Sequence, residues 1–455
     1  MNFSFLALAP ELQQALDACG YTDMTPVQQK AIVPARRGKD VLAHAQTGTG
    51  KTAAFALPVL QQMLDRPKPA LADFPRALIL TPTRELAEQL AETIGRYAQF
   101  TPLKITAVYG GGKSSSQAAK LHAGVDILVA TPGRLLEHLE KCNVHLSKLE
   151  FVVLDEADRM LDMGFIADVK SMLKQAPAKH QTLLFSATTS GPINDLAKSI
   201  LSRHEVINTS KQNATADTVE HVMYPVEERR KADLFIDLLD LYNWFKVLVF
   251  TSTKAQADEL KGKLKIAKIK TAVCHSDKTQ GARRRAIADF KDDKVQVLIA
   301  TEVAARGLDI QGLEHVVNFN LPYLAEDYVH RIGRAGRAGS KGQAISFVSR
   351  EEERALDSIE RLIGERITRM VMPGYEVGSR DAIFANLDKT PRGQRTNKVS
   401  KTNILHSGDG KNSVVGKRAA AKKLIAKKSA VKAVPGKKKT PAKKKVAKKK
   451  TTKKK

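Results

Sequence analysis

The sequence predicts an α/β chain of two successive domains, each a parallel sheet flanked by helices, followed by a polar, basic tail. Three observations predict it. Apolar runs of four or five residues recur through the first 375 positions, each leading into a polar or glycine-rich loop and then a helix-compatible segment. That is the order of strands buried on both faces. A polar stretch interrupts the recurrence once, from Asn208 to Thr218, and the domain boundary is placed there. Beyond Gly378 the apolar periodicity fades. The expected organisation is a first domain over 1–208, a linker over 209–218, a second domain over 219–375 and a tail over 376–455.

A chain of 455 residues with 42% hydrophobic content can hold two or three domains with real cores. Its formal charge of +27 is unevenly placed: 20 of the 75 basic residues and none of the acidic ones fall in 411–455, which leaves +7 for the first 410 residues. A mildly basic folded part carrying a block polycation suits a polyanion such as RNA. A membrane surface suits it less, because the tail has few large apolar residues to insert. The lysine runs repel one another and bury little, so disorder is expected there. Cys19, Cys142 and Cys274 are scattered and odd in number, which gives neither a disulfide framework nor zinc spacing. A reducing, cytoplasmic compartment is the expectation. No basic region followed by a long apolar run opens the chain, and no run approaches 18 apolar residues, so neither a signal peptide nor a membrane span is expected.

Taken in order, Pro10 to Ala18 reads as a short helix with Leu12, Ala15 and Leu16 on one face, ended by Gly20-Tyr21. Thr25-Pro26 opens the next helix. Gln28 has an amide able to pair with one edge of adenine, and Tyr21 has a ring able to stack on it; on local grounds alone Gln28 also reads as an ordinary surface glutamine. The apolar run at Val41-Leu42 then leads into Ala45-Gln46-Thr47-Gly48-Thr49-Gly50-Lys51-Thr52 and an apolar helix. This is the layout of a phosphate-binding loop. Glycines let the backbone curl so that N–H groups point at phosphate oxygens, and the helix adds its positive end. Lys51 would reach the β and γ phosphates of ATP, and Thr52 would ligate Mg2+.

Three strand–loop–helix units follow. Ala77–Leu80 delivers Pro82-Thr83-Arg84, Ile105–Val108 delivers Gly110-Gly111-Gly112, and Ile127–Ala130 delivers Thr131-Pro132-Gly133-Arg134. The loops should share one sheet edge, where they could track a nucleic-acid strand through phosphates and sugars. Arg84 reads either as a phosphate contact or as an Arg–Glu surface pair. Phe151–Leu154 delivers Asp155-Glu156-Ala157-Asp158; Asp155 suits a Mg2+ ligand and Glu156 could orient or deprotonate the attacking water. Gln181–Phe185 ends in Ser186-Ala187-Thr188, two hydroxyls able to bond Asp158.

In the second half, Val247–Phe250, Thr271–Cys274, Val297–Ala300, Val316–Phe319 and Ala344–Val348 read as strands, and Glu351–Leu362 as a helix. Gln280 and Arg283 stand at a helix start within a basic cluster, and Thr301 follows a strand. The stretch His330-Arg331-Ile332-Gly333-Arg334-Ala335-Gly336-Arg337 places arginines three residues apart among glycines. Arg334 and Arg337 could serve a triphosphate bound by Lys51, as arginine fingers supplied in cis from a second domain, or could contact nucleic acid. No second Gly-x-Gly-Lys-Thr occurs in this half.

Across roughly 1–375 the chain resembles the DEAD-box ATP-dependent RNA helicases, particularly their RhlE-like bacterial branch, because a dozen short motifs occur in order. The resemblance makes Tyr21 to Gln28 an adenine-reading element and Ala45 to Thr52 the Walker A loop, where Ala in first position is normal. Pro82, Thr83, Arg84, Gly112, Thr131 to Arg134, Gln280, Arg283 and Thr301 become RNA contacts. Asp158, Ser186, Thr188, Arg306 and His330 become coupling residues, and Asp309 the ribose contact. It implies two RecA-like domains that ATP, Mg2+ and RNA draw together, with local and non-processive unwinding. Ser276, Glu302 and Asn320 depart from the usual Gly, Asp and Asp. An RNA-dependent ATPase that remodels ribonucleoproteins, a tail-driven RNA chaperone and a DNA helicase are the competing readings. Ribosome assembly, RNA decay and growth in the cold are settings the branch implies, and a monomeric core is expected.

Overall fold

Strands apolar at every position are what a sheet covered on both faces requires, because successive side chains enter opposite layers. Phe151 and Val153 pack into the cluster on one face of their sheet, Val152 and Leu154 into the cluster on the other. The computed structural model describes residues 1–45, 48–209, 219–305, 310, 313–336 and 342–376. Both sheets lie in one compact unit.

The first sheet comprises β1 (Val41–His44), β2 (Ala77–Leu80), β3 (Ile105–Val108), β4 (Ile127–Ala130), β5 (Phe151–Leu154), β6 (Gln181–Ser186) and β7 (Glu205–Asn208). Its helices are α1 (Pro10–Ala18), α2 (Pro26–Arg36), α3 (Lys51–Asp65), α4 (Arg84–Tyr97), α5 (Ser114–His122), α6 (Pro132–Glu140), α7 (Ala157–Asp162), α8 (Ile166–Leu173) and α9 (Gly191–Ile200). The second sheet comprises β8 (Val219–Pro225), β9 (Val247–Thr251), β10 (Thr271–Cys274), β11 (Val297–Thr301), β12 (His315–Asn318), β13 (Gly342–Val348) and β14 (Thr368–Arg369). Its helices are α10 (Lys231–Tyr242), α11 (Lys254–Ile266), α12 (Gln280–Lys291), α13 (Glu302–Ala305), α14 (Ala325–Ile332) and α15 (Glu353–Ile363).

The strand orders are β3-β4-β2-β5-β6-β1-β7 and β10-β11-β9-β12-β13-β8-β14. Counted from its own first strand, the second order is the first repeated. Every pairing is parallel. All strands of a sheet therefore deliver their following loops to one edge, which gathers the segments after β1 to β6.

The repeat also puts a lysine at the matching helix start of each domain. β8 is the counterpart of β1, and the helices that follow them open on buried lysines, Lys51 and Lys231. Lys231 lies 2.6 Å from the carboxylates of both Glu228 and Glu352. Glu352 also accepts the N–H groups of Leu321 and Ser349. Carboxylates of the chain itself neutralise this lysine.

The helix at 10–18 and the strands at 77–80, 105–108, 127–130, 151–154 and 271–274 fall where the pattern puts them. Three strands have no apolar run to reveal them. β7 buries only Ile207, β14 has two residues, and β8 carries Glu220, His221 and Pro225. The run at 316–319 pairs one residue earlier, as His315–Asn318. The helix read from Glu351 begins as a 3-10 turn at Arg350–Glu352, capped by Ser349. Positions 210–218 of the expected linker and 377–455 of the tail lie outside the described residues. No described helix is long and apolar enough to cross a membrane.

Candidate active site

The loop between β1 and α3 turns on two glycines in left-handed conformation, Gly48 at φ +76° and Gly50 at φ +86°. A Cβ on Gly50 would fall 2.3 Å from Gln28 Nε2. That closeness reflects a hydrogen bond: Gln28 Nε2 donates to the Gly50 carbonyl at 3.0 Å while its Oε1 accepts the Thr25 N–H at 2.8 Å. Gln28 is only 4% exposed, so the ordinary surface reading fails. Tyr21 stacks on Phe3 with ring centres 6.1 Å apart, and its hydroxyl lies 3.2 Å from that of Tyr97. Ala45 is fully buried and bonds through its N–H to the Ser186 carbonyl at 3.0 Å. Gln46 and Thr47 lie outside the described residues.

Lys51 opens α3 and is buried. Its ammonium makes no hydrogen bond, and the Asp155 carboxylate stands 3.9 Å away. A buried cation without a hydrogen bond is costly unless an anion completes its shell. Beside it, burial pushes the Asp155 carboxyl up to about 6, with Lys51 pulling it down and Glu156 and Asp158 pushing the same way as burial. Lys51, the Thr52 hydroxyl and Asp155 are a donor set that fits a triphosphate with a hard, oxygen-loving cation. Glu156 sits at φ +53°, a conformation costing about 1 kcal/mol or more for a side-chain-bearing residue.

Asp158 engages another motif. Its Oδ2 accepts the N–H groups of Ala187 and Thr188, each at 3.0 Å. Ser186 Oγ donates to the Thr188 carbonyl at 2.9 Å. His44, at the end of β1, adds a contact that no sequence pattern signals: its Nδ1 lies 2.9 Å from the same carbonyl. Burial lowers the His44 pKa, so the ring is neutral near pH 7 and Nδ1–H is the donor. The Thr209 hydroxyl donates to the His44 carbonyl at 3.1 Å. One histidine thus joins the phosphate-loop strand, the Ser186–Thr188 turn and the chain leaving the first sheet.

The loops after β2, β3 and β4 form a second face. Arg84 packs against the glycine loop, where a Cβ on Gly111 would fall 2.2 Å from its Nη1. Glu85, the partner an Arg–Glu surface pair would use, is instead ion-paired at 2.9 Å with Arg283 of the second sheet's α12. Gly112 and Gly133 are exposed, while Pro82, Thr83, Thr131 and Pro132 are buried. Arg134 is buried, donating to the Gly112 carbonyl at 3.1 Å and to Gln117 Oε1 at 3.2 Å. Gln117 Nε2 in turn donates to the Tyr109 carbonyl at 3.0 Å. Gln117 and His138, 3.4 Å apart, complete a buried network that sequence reading missed, since a helical glutamine carries no signal.

On the second domain, Thr301 ends β11 and is buried. Both amide atoms of Gln280 are buried without a hydrogen bond, as is His330 Nδ1. Arg283, read as an RNA contact, is committed here to Glu85. Its neighbour Arg284 bonds Glu88 and Tyr109 of the first domain. Arg159, directly after Asp158, is ion-paired with Asp327 on α14. Arg334 is buried in the turn after α14. Arg306, Asp309 and Arg337 lie outside the described residues. The departures have physical partners: Glu302 accepts from Arg331 at 2.5 Å, and Asn320 accepts the Ser252 N–H while donating to Glu228. An aspartate at 320 could not make that last bond. Ser276 adjoins Asp277, whose carboxyl is held low chiefly by its hydrogen bond from Lys254.

Residues 25–196 match the family model for DEAD/DEAH box helicases, and residues 230–339 match that of the helicase conserved C-terminal domain. The chain is 40% identical over 372 residues to the DEAD-box ATP-dependent RNA helicase CshA of Bacillus cereus, covering 82% of this chain and 70% of that one. The CshA of Bacillus subtilis is 39% identical over 373 residues, covering 82% and 74%. The chain belongs to the DEAD-box ATP-dependent RNA helicases. The structure of Saccharomyces cerevisiae Dbp5 bound to RNA and ADP BeF3 aligns with a TM-score of 0.73 at 32% identity, over 81% of this chain and 95% of that one. Both sheets of this helicase are therefore the tandem RecA-like domains of the family. It uses ATP and binds RNA.

Proposed function

We propose that this helicase opens short RNA duplexes locally, coupling each opening to hydrolysis of one ATP held between its two domains. The buried, hydrogen-bond-free Lys51 ammonium beside Asp155 is the observation that carries the reading. Lys51 binds the β and γ phosphates, and the loop from Ala45 to Thr52 wraps them with backbone N–H groups. Mg2+ would be held by Thr52 and Asp155 and would neutralise charge between the phosphates. Among the described residues no three His, Cys, Asp or Glu side chains form a metal cage, which suits a cation carried in with the nucleotide. Glu156 takes the proton of the attacking water, and Arg334 and Arg337 meet the charge on the transferring phosphoryl group. Gln28 reads adenine, with Tyr21 beside it and Asp309 on the ribose.

Asp158, Ser186, Thr188, Arg306 and His330 pass the nucleotide state to the RNA face. That face uses exposed glycines and helix starts, so it grips backbone and 2′-hydroxyls with little base readout. Arg84 contacts phosphate, while the buried Arg134 holds the Gly112 loop in place. The lysine-rich tail tethers RNA without sequence preference. A cytoplasmic setting in ribosome assembly or RNA decay accords with this reading.

Steady-state ATP hydrolysis with and without RNA tests it, run on the full chain, a chain ending at Tyr375 and Glu156→Gln, alongside release of a short duplex. RNA stimulation that survives truncation and disappears in Glu156→Gln is the expected result. Hydrolysis without duplex release would favour a ribonucleoprotein-remodelling ATPase. No hydrolysis, with RNA binding lost on truncation, would leave only a tail-driven chaperone.

A further inference from the structure

Arg284 follows the Arg283 that pairs with Glu85, but its own contacts are different. Its Nε donates to Glu88 Oε2 at 2.9 Å and its Nη2 to the Tyr109 hydroxyl at 2.9 Å. Burial, with the Glu88 carboxylate nearby, pushes the Tyr109 pKa up to about 12, so the hydroxyl stays protonated. The second domain thereby grips two first-domain elements with one guanidinium. Glu88 stands one helical turn after Arg84 on α4, the residue packed against the glycine loop. Tyr109 directly precedes that loop, and its carbonyl is anchored by Gln117.

We propose that Arg284, Glu88 and Tyr109 form a clamp that sets the spacing between α4 and the Gly110–Gly112 loop only when the two domains close. Arg284 is a positioning residue for RNA: it touches neither nucleotide nor scissile bond. The inference rests on the reading of Arg84 and Gly112 as RNA contacts. Its physical basis is that a planar fork with fixed donor directions can hold a carboxylate and a hydroxyl in one geometry, which a lysine cannot do. The pair is partly exposed, so salt should weaken it.

The test is a charge swap in the full chain. ATP hydrolysis is followed against RNA concentration at saturating ATP, for Arg284→Glu, Glu88→Arg and the two combined. Each single change is expected to raise the RNA concentration for half-stimulation about tenfold in low salt, with kcat reduced much less. The double swap should recover to within about threefold of the parent. Tyr109→Phe, which keeps the ring, should give a smaller rise in the same constant. Single variants indistinguishable from the parent, or a double variant with the full product of the single losses, would overturn the clamp. Arg84→Ala serves as the separate control: an unchanged RNA half-saturation there would overturn the RNA reading of this face, while rescue by the swap would still report the contact between domains.

Discussion

Asp155 is a residue whose chemistry and stability pull in opposite directions. It is 4% exposed, close to Glu156 and Asp158, with Lys51 at 3.9 Å. Burial pushes its pKa from an ordinary 3.8 up to about 6, so the folded chain prefers the protonated form. The stabilisation from that proton is fully present below about pH 4 and is lost as the pH rises through about 6. At pH 8 the ligand-free protein therefore holds an ionised group the fold disfavours. Asp155→Asn should raise the melting temperature of the ligand-free helicase at pH 8 and raise it less at pH 5.5, while abolishing hydrolysis. Thermal melts at the two pH values decide it; equal gains at both would refute the assignment. The same residue scale explains Gly50, where a left-handed backbone and the 2.3 Å approach of Gln28 leave room for no side chain.

Elements in this protein are held in register by buried amides as much as by apolar packing. α5 contributes Gln117, which bonds the end of β3 through the Tyr109 carbonyl and α6 through Arg134. Replacing it by leucine keeps the bulk but leaves a buried guanidinium short of an acceptor, a loss of about 1–3 kcal/mol. Gln117→Leu should raise the RNA concentration for half-stimulation several-fold without moving the ATP KM. Filter binding to a single-stranded RNA, with and without a non-hydrolysable ATP analogue, measures the effect directly. A variant that lost ATP and RNA affinity together would point to general unfolding of the sheet edge. The Lys231–Glu352 contact is the opposite case, an element that repeats the phosphate-loop helix start and closes it with a carboxylate.

At the scale of the molecule, two sheets of one topology are joined by ion pairs that cross between domains: Arg283 with Glu85, Arg284 with Glu88, and Arg159 with Asp327. The first and last are buried, where losing one partner costs far more than at the surface. The part proposed for the tail is one of long-range charge. Removing 377–455 takes away the segment that holds 20 basic residues and no acid between 411 and 455. RNA affinity should fall at low salt, and the plot of log K against log salt should flatten. Each phosphate no longer neutralised removes about 0.7 from the slope. A slope unchanged by truncation would assign RNA tethering to the folded domains alone.

The class of fold, the positions of most strands and the phosphate loop were legible in the residues alone. Those features are written in local patterns: four apolar residues for a strand buried on both faces, glycines where φ must be positive, Lys-Thr at a helix start. Edge strands β7 and β14 escaped because a strand with one solvated side needs no apolar run. Which polar side chains meet depends on how the whole chain folds. Asp158 could have served a cation or its neighbours, and the fold gives it the Ala187 and Thr188 amides, about 30 residues away. Arg283 reads as an RNA contact within a basic cluster, and the fold sets it against Glu85, nearly 200 residues earlier, with its neighbour Arg284 against Glu88. Local sequence fixes what a side chain can bond, while its partner is fixed by strand order and domain contact, which bring distant positions within 3 Å.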